Sequence, residues 1–232
     1  ILSGLVGSEM CIRDRFKSHF PSRGYVLNWL GLNFRSQQGI IRSAHSLILG
    51  IPAVSMLAPA SAANEECIPV EVHELTASTF MRLFSTRYAA GDTILILAAN
   101  PDDYRLSEPF VNVVVEQDKL ENPNNRRVRV RAAQRSKGLE ADTVIVLGDF
   151  VAATSTWAKN QIFRAARTID TDDQSPFDVI SQNELYKLAN ISICRARSRA
   201  AWLIAKDPGD GVHRLKASSR IGNVQGSFID YR

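Results

Sequence analysis

Two rhythms of apolar residues run through this chain, and each predicts a different element. Residues 93–98 (TILILA) are a continuous apolar run, the mark of a strand covered on both faces, and 142–147 (DTVIVL) read as a further buried strand. Residues 25–30 are rich in β-formers and read as a short strand, and 70–75 alternate as another. Residues 110–115 (FVNVVV), 127–132 (RVRVRA) and 201–205 (AWLIA) complete the predicted strands. The second rhythm is helical. After Ser36, residues Ile40, Ile41, Ala44, Leu47 and Ile48 form one apolar stripe. A further helix is predicted from Ser78 to Tyr88, stopped by Gly91. A long one opens at the capping box Ser181-Gln182-Asn183-Glu184 and runs to Ala200. Residues 52–66 read as a loop, 100–103 as a turn (with Asp102 and Asp103 as turn residues rather than a catalytic pair), and 170–176 as a polar linker. Buried strands alternating with helices predict an α/β fold: a parallel sheet with helices on both faces. Ligands of such sheets gather at the carboxyl ends of the strands.

Composition narrows the class without naming a chemistry. At 232 residues, 45% hydrophobic and 22% charged, the chain suits one globular domain with loose ends. The segment 47–62 (LILGIPAVSMLAPASA) imitates a signal peptide, but it is internal, holds two prolines and is too short to span a bilayer. No membrane association is expected, and the cytoplasm is the expected location. Cys11, Cys67 and Cys194 are odd in number and widely spaced, which predicts neither a disulfide framework nor a metal site. His19, His73 and His213 are equally scattered. The net charge is a modest +4, yet 21 of the 28 basic residues are arginine. Five arginines fall between Arg126 and Arg135, and Arg195, Arg197 and Arg199 form a second group. The planar guanidinium fork suits phosphate, so this clustering favours nucleotide or nucleic acid.

The opening residues differ in character. Residues 10–15 (MCIRDR) are similar to the translation of an adapter used in sequencing libraries. Residues 1–15 are therefore read as non-native and set aside, which puts a cut at Phe16 and the missing upstream part beyond it. Residues 16–206 are read as the domain and 207–232, rich in glycine, serine and charge, as a loose tail.

Three segments carry the candidate chemistry. In residues 131–150 (RAAQRSKGLEADTVIVLGDF) a strand is predicted to end and a helix to begin at Gly138, leaving free backbone N–H groups at the sheet's rim. There Glu140 would accept a hydrogen bond from a sugar hydroxyl. This segment resembles motif V of superfamily I DNA helicases of the UvrD/Rep type, closest to the helicase IV branch. Residues 190–200 (NISICRARSRA) resemble motif VI, and residues 30–48 (LGLNFRSQQGIIRSAHSLI) resemble motif IV. All three occur in the family's order.

The resemblance implies a RecA-like fold: the C-terminal lobe of an ATP-dependent 3′–5′ helicase or translocase, a P-loop NTPase second lobe without the P-loop. By that resemblance Arg195 and Arg35 reach the γ-phosphate as catalytic residues, Glu140 and Gly138 hold the nucleotide with them, and Gln134, Arg135, Ser136 and Lys137 contact single-stranded DNA. Departures lie at Ala132, Gln134, Asn190, Cys194 and His45, where the family usually has threonine, histidine, tyrosine, threonine and asparagine.

A complete motor also needs a glycine-rich loop ending in Gly-Lys-Ser/Thr and an acidic pair to hold Mg²⁺-ATP. Neither pattern occurs in these residues. The chain is thus expected to lack ATPase activity alone, with Mg²⁺ held mainly by a separate N-terminal RecA-like lobe. The competing reading is a non-catalytic nucleic-acid-binding or adaptor module with a helicase-like fold.

Overall fold

The computed structural model describes residues 35–48, 70–99, 101–153, 160–162, 165, 176–205 and 214–221. All lie within the unit Leu32–Arg232. Along the chain come α1 (Gln38–Leu47), β1 (Glu71–Glu74), α2 (Ala77–Ala89), β2 (Ile94–Ala98), α3 (Pro101–Glu121), β3 (Val128–Ala132), β4 (Ala141–Leu147), β5 (Val151–Ala153), α4 (Pro176–Ile193), β6 (Ala196–Ile204) and β7 (Arg214–Lys216). Five strands form a parallel sheet in the order β1-β6-β4-β2-β3, while β5 and β7 pair antiparallel beside it.

Alternation along the central strands sorts the core into two layers, because successive side chains point to opposite faces. Leu95, Leu97, Val144, Val146, Ala200 and Trp202 meet Ile40, Ala44 and Leu47 of α1 and Ala189 and Ile193 of α4. Ile94, Ile96, Ile145, Leu147 and Leu203 meet Phe80, Phe84 and Tyr88 of α2 and Val111 and Val114 of α3. Helices therefore cover both faces of the parallel sheet, as predicted. Trp202, fully buried, crosses Phe150 edge-on at 5.6 Å and donates its indole N–H to the Gly148 carbonyl at 2.7 Å.

Several elements depart from the expectation. Residues 110–115 are helical, not a strand, and the expected turn at 100–103 is where that helix starts, with Pro101 in its first turn. The buried positions Ser107, Val111, Val114 and Asp118 repeat every three or four residues and override the β-propensity of the valines. The capping box is not a cap. Ser181 lies inside α4, whose first turn is held instead by Asn160, whose Oδ1 accepts from the Phe177 N–H (2.8 Å) and the Asp178 N–H (3.3 Å). The same helix ends at Ile193, and residues up to Ala200 already belong to β6. No helix opens at Gly138. After β3 a short 3-10 turn, Ala133–Arg135, leads through residues 136–140 straight into β4. Within the expected loose tail, residues 214–221 are ordered: β7 pairs with β5, and Ser218 donates its N–H to Asp149 at 3.2 Å. The predicted strand at 25–30, the loop at 52–66 and the first fifteen residues lie outside the described residues, as does 170–175 of the linker.

Candidate functional site

Three segments distant in sequence meet where α4 turns into β6. The helix closes with the Cys194 N–H on the Asn190 carbonyl (3.0 Å) and the Arg195 N–H on the Ser192 carbonyl (3.2 Å). The Arg195 carbonyl then accepts the Ala141 N–H at 3.1 Å, which fixes the start of β4. From the third segment, the Gln37 N–H donates to the Arg197 carbonyl at 3.0 Å and the Ser36 hydroxyl to the Cys194 carbonyl at 3.4 Å. Asn190 ties α4 to α1 through its side-chain N–H on the Ala44 carbonyl at 2.7 Å.

Charged groups are concentrated at this junction. Glu140 accepts from Arg35 Nε at 3.0 Å and, through its other oxygen, from Arg197 Nη2. Arg197 also faces Asp142 at 3.8 Å. The Arg197 hydrogen bond and charge, with help from Arg35, hold the Glu140 carboxyl below the usual carboxylate range. Asp142 is lowered as well, chiefly by the Thr93 hydroxyl (2.6 Å) and the Thr93 N–H (2.9 Å).

Arg195 is different. Its Nε is buried and has no hydrogen-bond partner among the described residues, and burial together with the like charge of Arg35 lowers its pKa. Gln37 Oε1 is a second buried polar atom without a partner among them. Burial pushes the neighbouring Cys194 thiol up to about 11 against the opposing pull of Arg195 and Arg35. A half-desolvated guanidinium with an unused donor, beside a second guanidinium, is an anion-binding arrangement.

Arg35, Glu140 and Arg195 are therefore brought together. Their position corrects one expectation: Glu140 directly precedes β4 and Arg195 directly precedes β6, so they stand at the amino ends of the strands, not the carboxyl ends. The eight-residue connection 133–140 carries the chain back across the sheet with no helix between, which delivers Glu140 to that rim.

Gly138 has φ +82° and open space around its missing Cβ, so its role is conformational rather than that of a helix start. Gln134, Arg135 and Lys137 are exposed. Ser136 is fully buried and donates its hydroxyl to the Ala133 carbonyl at 2.7 Å, so it is a turn residue and presents nothing to a nucleic acid.

Arg197 was not singled out as a site residue. Its signal was the alternation of Arg195, Arg197 and Arg199, which is the period of a strand and places Arg197 one step from the junction. Among the described residues no group of three or more His, Cys, Asp or Glu could hold a metal ion, and no helix is long and apolar enough to cross a membrane.

A solved structure resembles this chain. It is described as the C-terminal domain of a possible DNA helicase from Lactobacillus plantarum WCFS1; it is 16% identical, covers 76% of this chain and 91% of its own, and has a TM-score of 0.40. No family model matches, and no curated protein does.

Proposed function

We propose that the chain is the C-terminal RecA-like lobe of an ATP-dependent DNA helicase or translocase of the UvrD/Rep type, forming one wall of the nucleotide cleft and part of the single-strand track. One observation carries the reading. Arg35, Glu140 and Arg195, from the three segments that resemble motifs IV, V and VI, converge around a buried guanidinium nitrogen that has no partner among the described residues. The 3′–5′ polarity rests on the resemblance alone.

Mg²⁺-ATP, bound mainly by a separate lobe, would supply the transferable phosphoryl group. Arg195 and Arg35 would meet the negative charge spread over the γ-phosphoryl oxygens and the leaving oxygen in the transition state. An arginine so placed is worth about 10³ to 10⁵ in rate. Glu140 would exchange an arginine partner for a sugar hydroxyl, a swap between exposed groups that costs little. Gln134, Arg135 and Lys137 would face the nucleic-acid backbone; Ser136 is excluded by burial.

The test is reconstitution. Added to a separately made ATP-binding lobe, the 232-residue chain yields DNA-stimulated ATPase activity, and Arg195→Ala lowers it by at least about 10³ with an unchanged circular dichroism spectrum. An Arg195→Ala chain with full activity overturns the arginine assignment. Retained DNA binding without any ATPase favours a non-catalytic module, the reading to which the changes at Ala132, Gln134, Asn190 and Cys194 lend weight.

A further inference from the structure

We propose that the open edge of β3 grips the phosphate backbone of a single-stranded nucleic acid and leads it into the turn at 134–137; the inference rests on the reading of that turn as part of a DNA track. Strand β3 ends the sheet and pairs, among the described residues, with β2 alone. Beside it runs a groove of about 470 Å³ lined by Asn124, Asn125, Arg126, Arg129 and Arg131 together with three valines.

Arg129 and Arg131 stand opposite Leu95 and Leu97, so both project from the same face. Their i, i+2 spacing is roughly 6.6 Å. The strand then runs without a break into the Ala133–Arg135 turn, where Arg135 and Lys137 are exposed. The result is one basic line of twelve residues in sequence, from Arg126 to Lys137.

Structural duty accounts for little of this run: Arg131 donates to the neighbouring Val130 carbonyl at 2.8 Å, a contact on the exposed edge, and among the described residues Arg126 and Arg129 make no side-chain hydrogen bond or ion pair. Arg127, within the same run, is the exception: its guanidinium lies 4.4 Å over the Tyr88 ring and donates to the Tyr88 carbonyl at 2.6 Å and the Asp92 carbonyl at 3.0 Å. By contrast Arg126, Arg129 and Arg131 are exposed and no described carboxylate pairs with them. Glu116 and Glu121, on the adjoining helix, are engaged by Lys119 and Gln117.

Charged residues on an edge strand also discourage strand-to-strand aggregation. That function needs one or two charges; it requires neither a groove nor continuity with a second basic segment. Uncompensated guanidiniums in a polar groove complement an extended polyanion, and no exposed aromatic lines the groove to select among bases. Backbone contact without sequence preference is the expected mode.

The experiment measures fluorescence anisotropy of a labelled twenty-nucleotide oligothymidylate with the full chain between about 50 and 200 mM salt. For single strands each phosphate contact contributes about −0.7 to the slope of log K against log salt. The R129Q/R131Q variant is expected to weaken binding about tenfold or more at the lower salt and make the slope less negative by about 1.4, whereas R129K/R131K keeps the slope. An unchanged slope in R129Q/R131Q overturns the proposal. So does absence of binding by the unsubstituted chain, and so does tighter binding of polyglutamate, which would assign the edge to an acidic protein. The helicase reading fails separately: if the slope changes as stated but no Arg195-dependent ATPase is found on reconstitution, the edge stands and the motor does not.

Discussion

Arg195 occupies a position that fold stability alone does not favour. Its guanidinium is partly desolvated, faces Arg35, and leaves Nε without a partner among the described residues. Glu140 is its opposite, a carboxylate held by two arginines at the surface. Because the Glu140 pKa is depressed in the folded chain, its contribution to stability is present above the unfolded value of about 4.3 and is lost as pH falls through the lower folded value. Glu140→Gln lacks that contribution at every pH. The two chains should therefore differ most in urea midpoint at neutral pH and converge in acid. A difference that is constant down to the most acidic sample would mean that the ion pairs with Arg35 and Arg197 do not perturb Glu140.

At the scale of elements, Asp118 shows how one buried carboxylate joins a helix to a strand. Near the end of α3, and only 1% exposed, it accepts from the Tyr88 hydroxyl (3.1 Å), the Asn122 side-chain N–H (3.0 Å) and the Arg127 and Val128 backbone N–H groups (3.0 Å each). It thereby sets where β3 begins. Asp118→Ala would strand buried donors and is expected to cost roughly 2–4 kcal/mol in urea unfolding; a cost below about 0.5 kcal/mol would contradict this account. The element it closes is also the one that sequence patterning missed. FVNVVV has the composition of a strand and follows Pro109, a residue that usually ends helices. The helical spacing of Ser107, Val111, Val114 and Asp118 includes two polar residues, so an apolar count passes over it. Runs such as ILILA and DTVIVL were legible because both of their faces are buried. In the site, Arg35, Glu140 and Arg195 were legible through their motifs. The edge of the sheet on which they stand was not, because it depends on a helix-free crossing at 133–140 that a helix-like KGLE disguises. Arg197 was hidden by the same cause in reverse: RARSR reads as a basic helix face until α4 is seen to stop at Ile193.

For the molecule as a whole, the junction joins parts that lie far apart in the sequence. Arg35 leads into α1, Glu140 into β4 and Arg195 into β6, and α1 rests on α4 through Asn190 and Ala44. A polyanion bridging Arg35 and Arg195 would bind the folded arrangement and not the unfolded chain, so it should raise the melting temperature by linkage. At tenfold excess over its dissociation constant the gain is about 1.4 kcal/mol, or roughly 3–6 °C for a chain of this size. Inorganic tripolyphosphate is a suitable probe because it carries the charge of a nucleotide's tail without base or sugar. The groups around it set the sign of each variant's response. Among the described residues Arg35 faces Glu140, and Arg197 faces Glu140 and Asp142, so Glu140 competes with the probe for two of the three guanidiniums. R35Q/R195Q should lose the shift, whereas E140Q should show it at lower probe concentration. If R35Q/R195Q keeps the full shift, the anion binds elsewhere, with the arginines along β3 as the first place to look. If E140Q loses it, the carboxylate positions the arginines rather than competing for them, and the exchange of partners assigned to Glu140 is wrong.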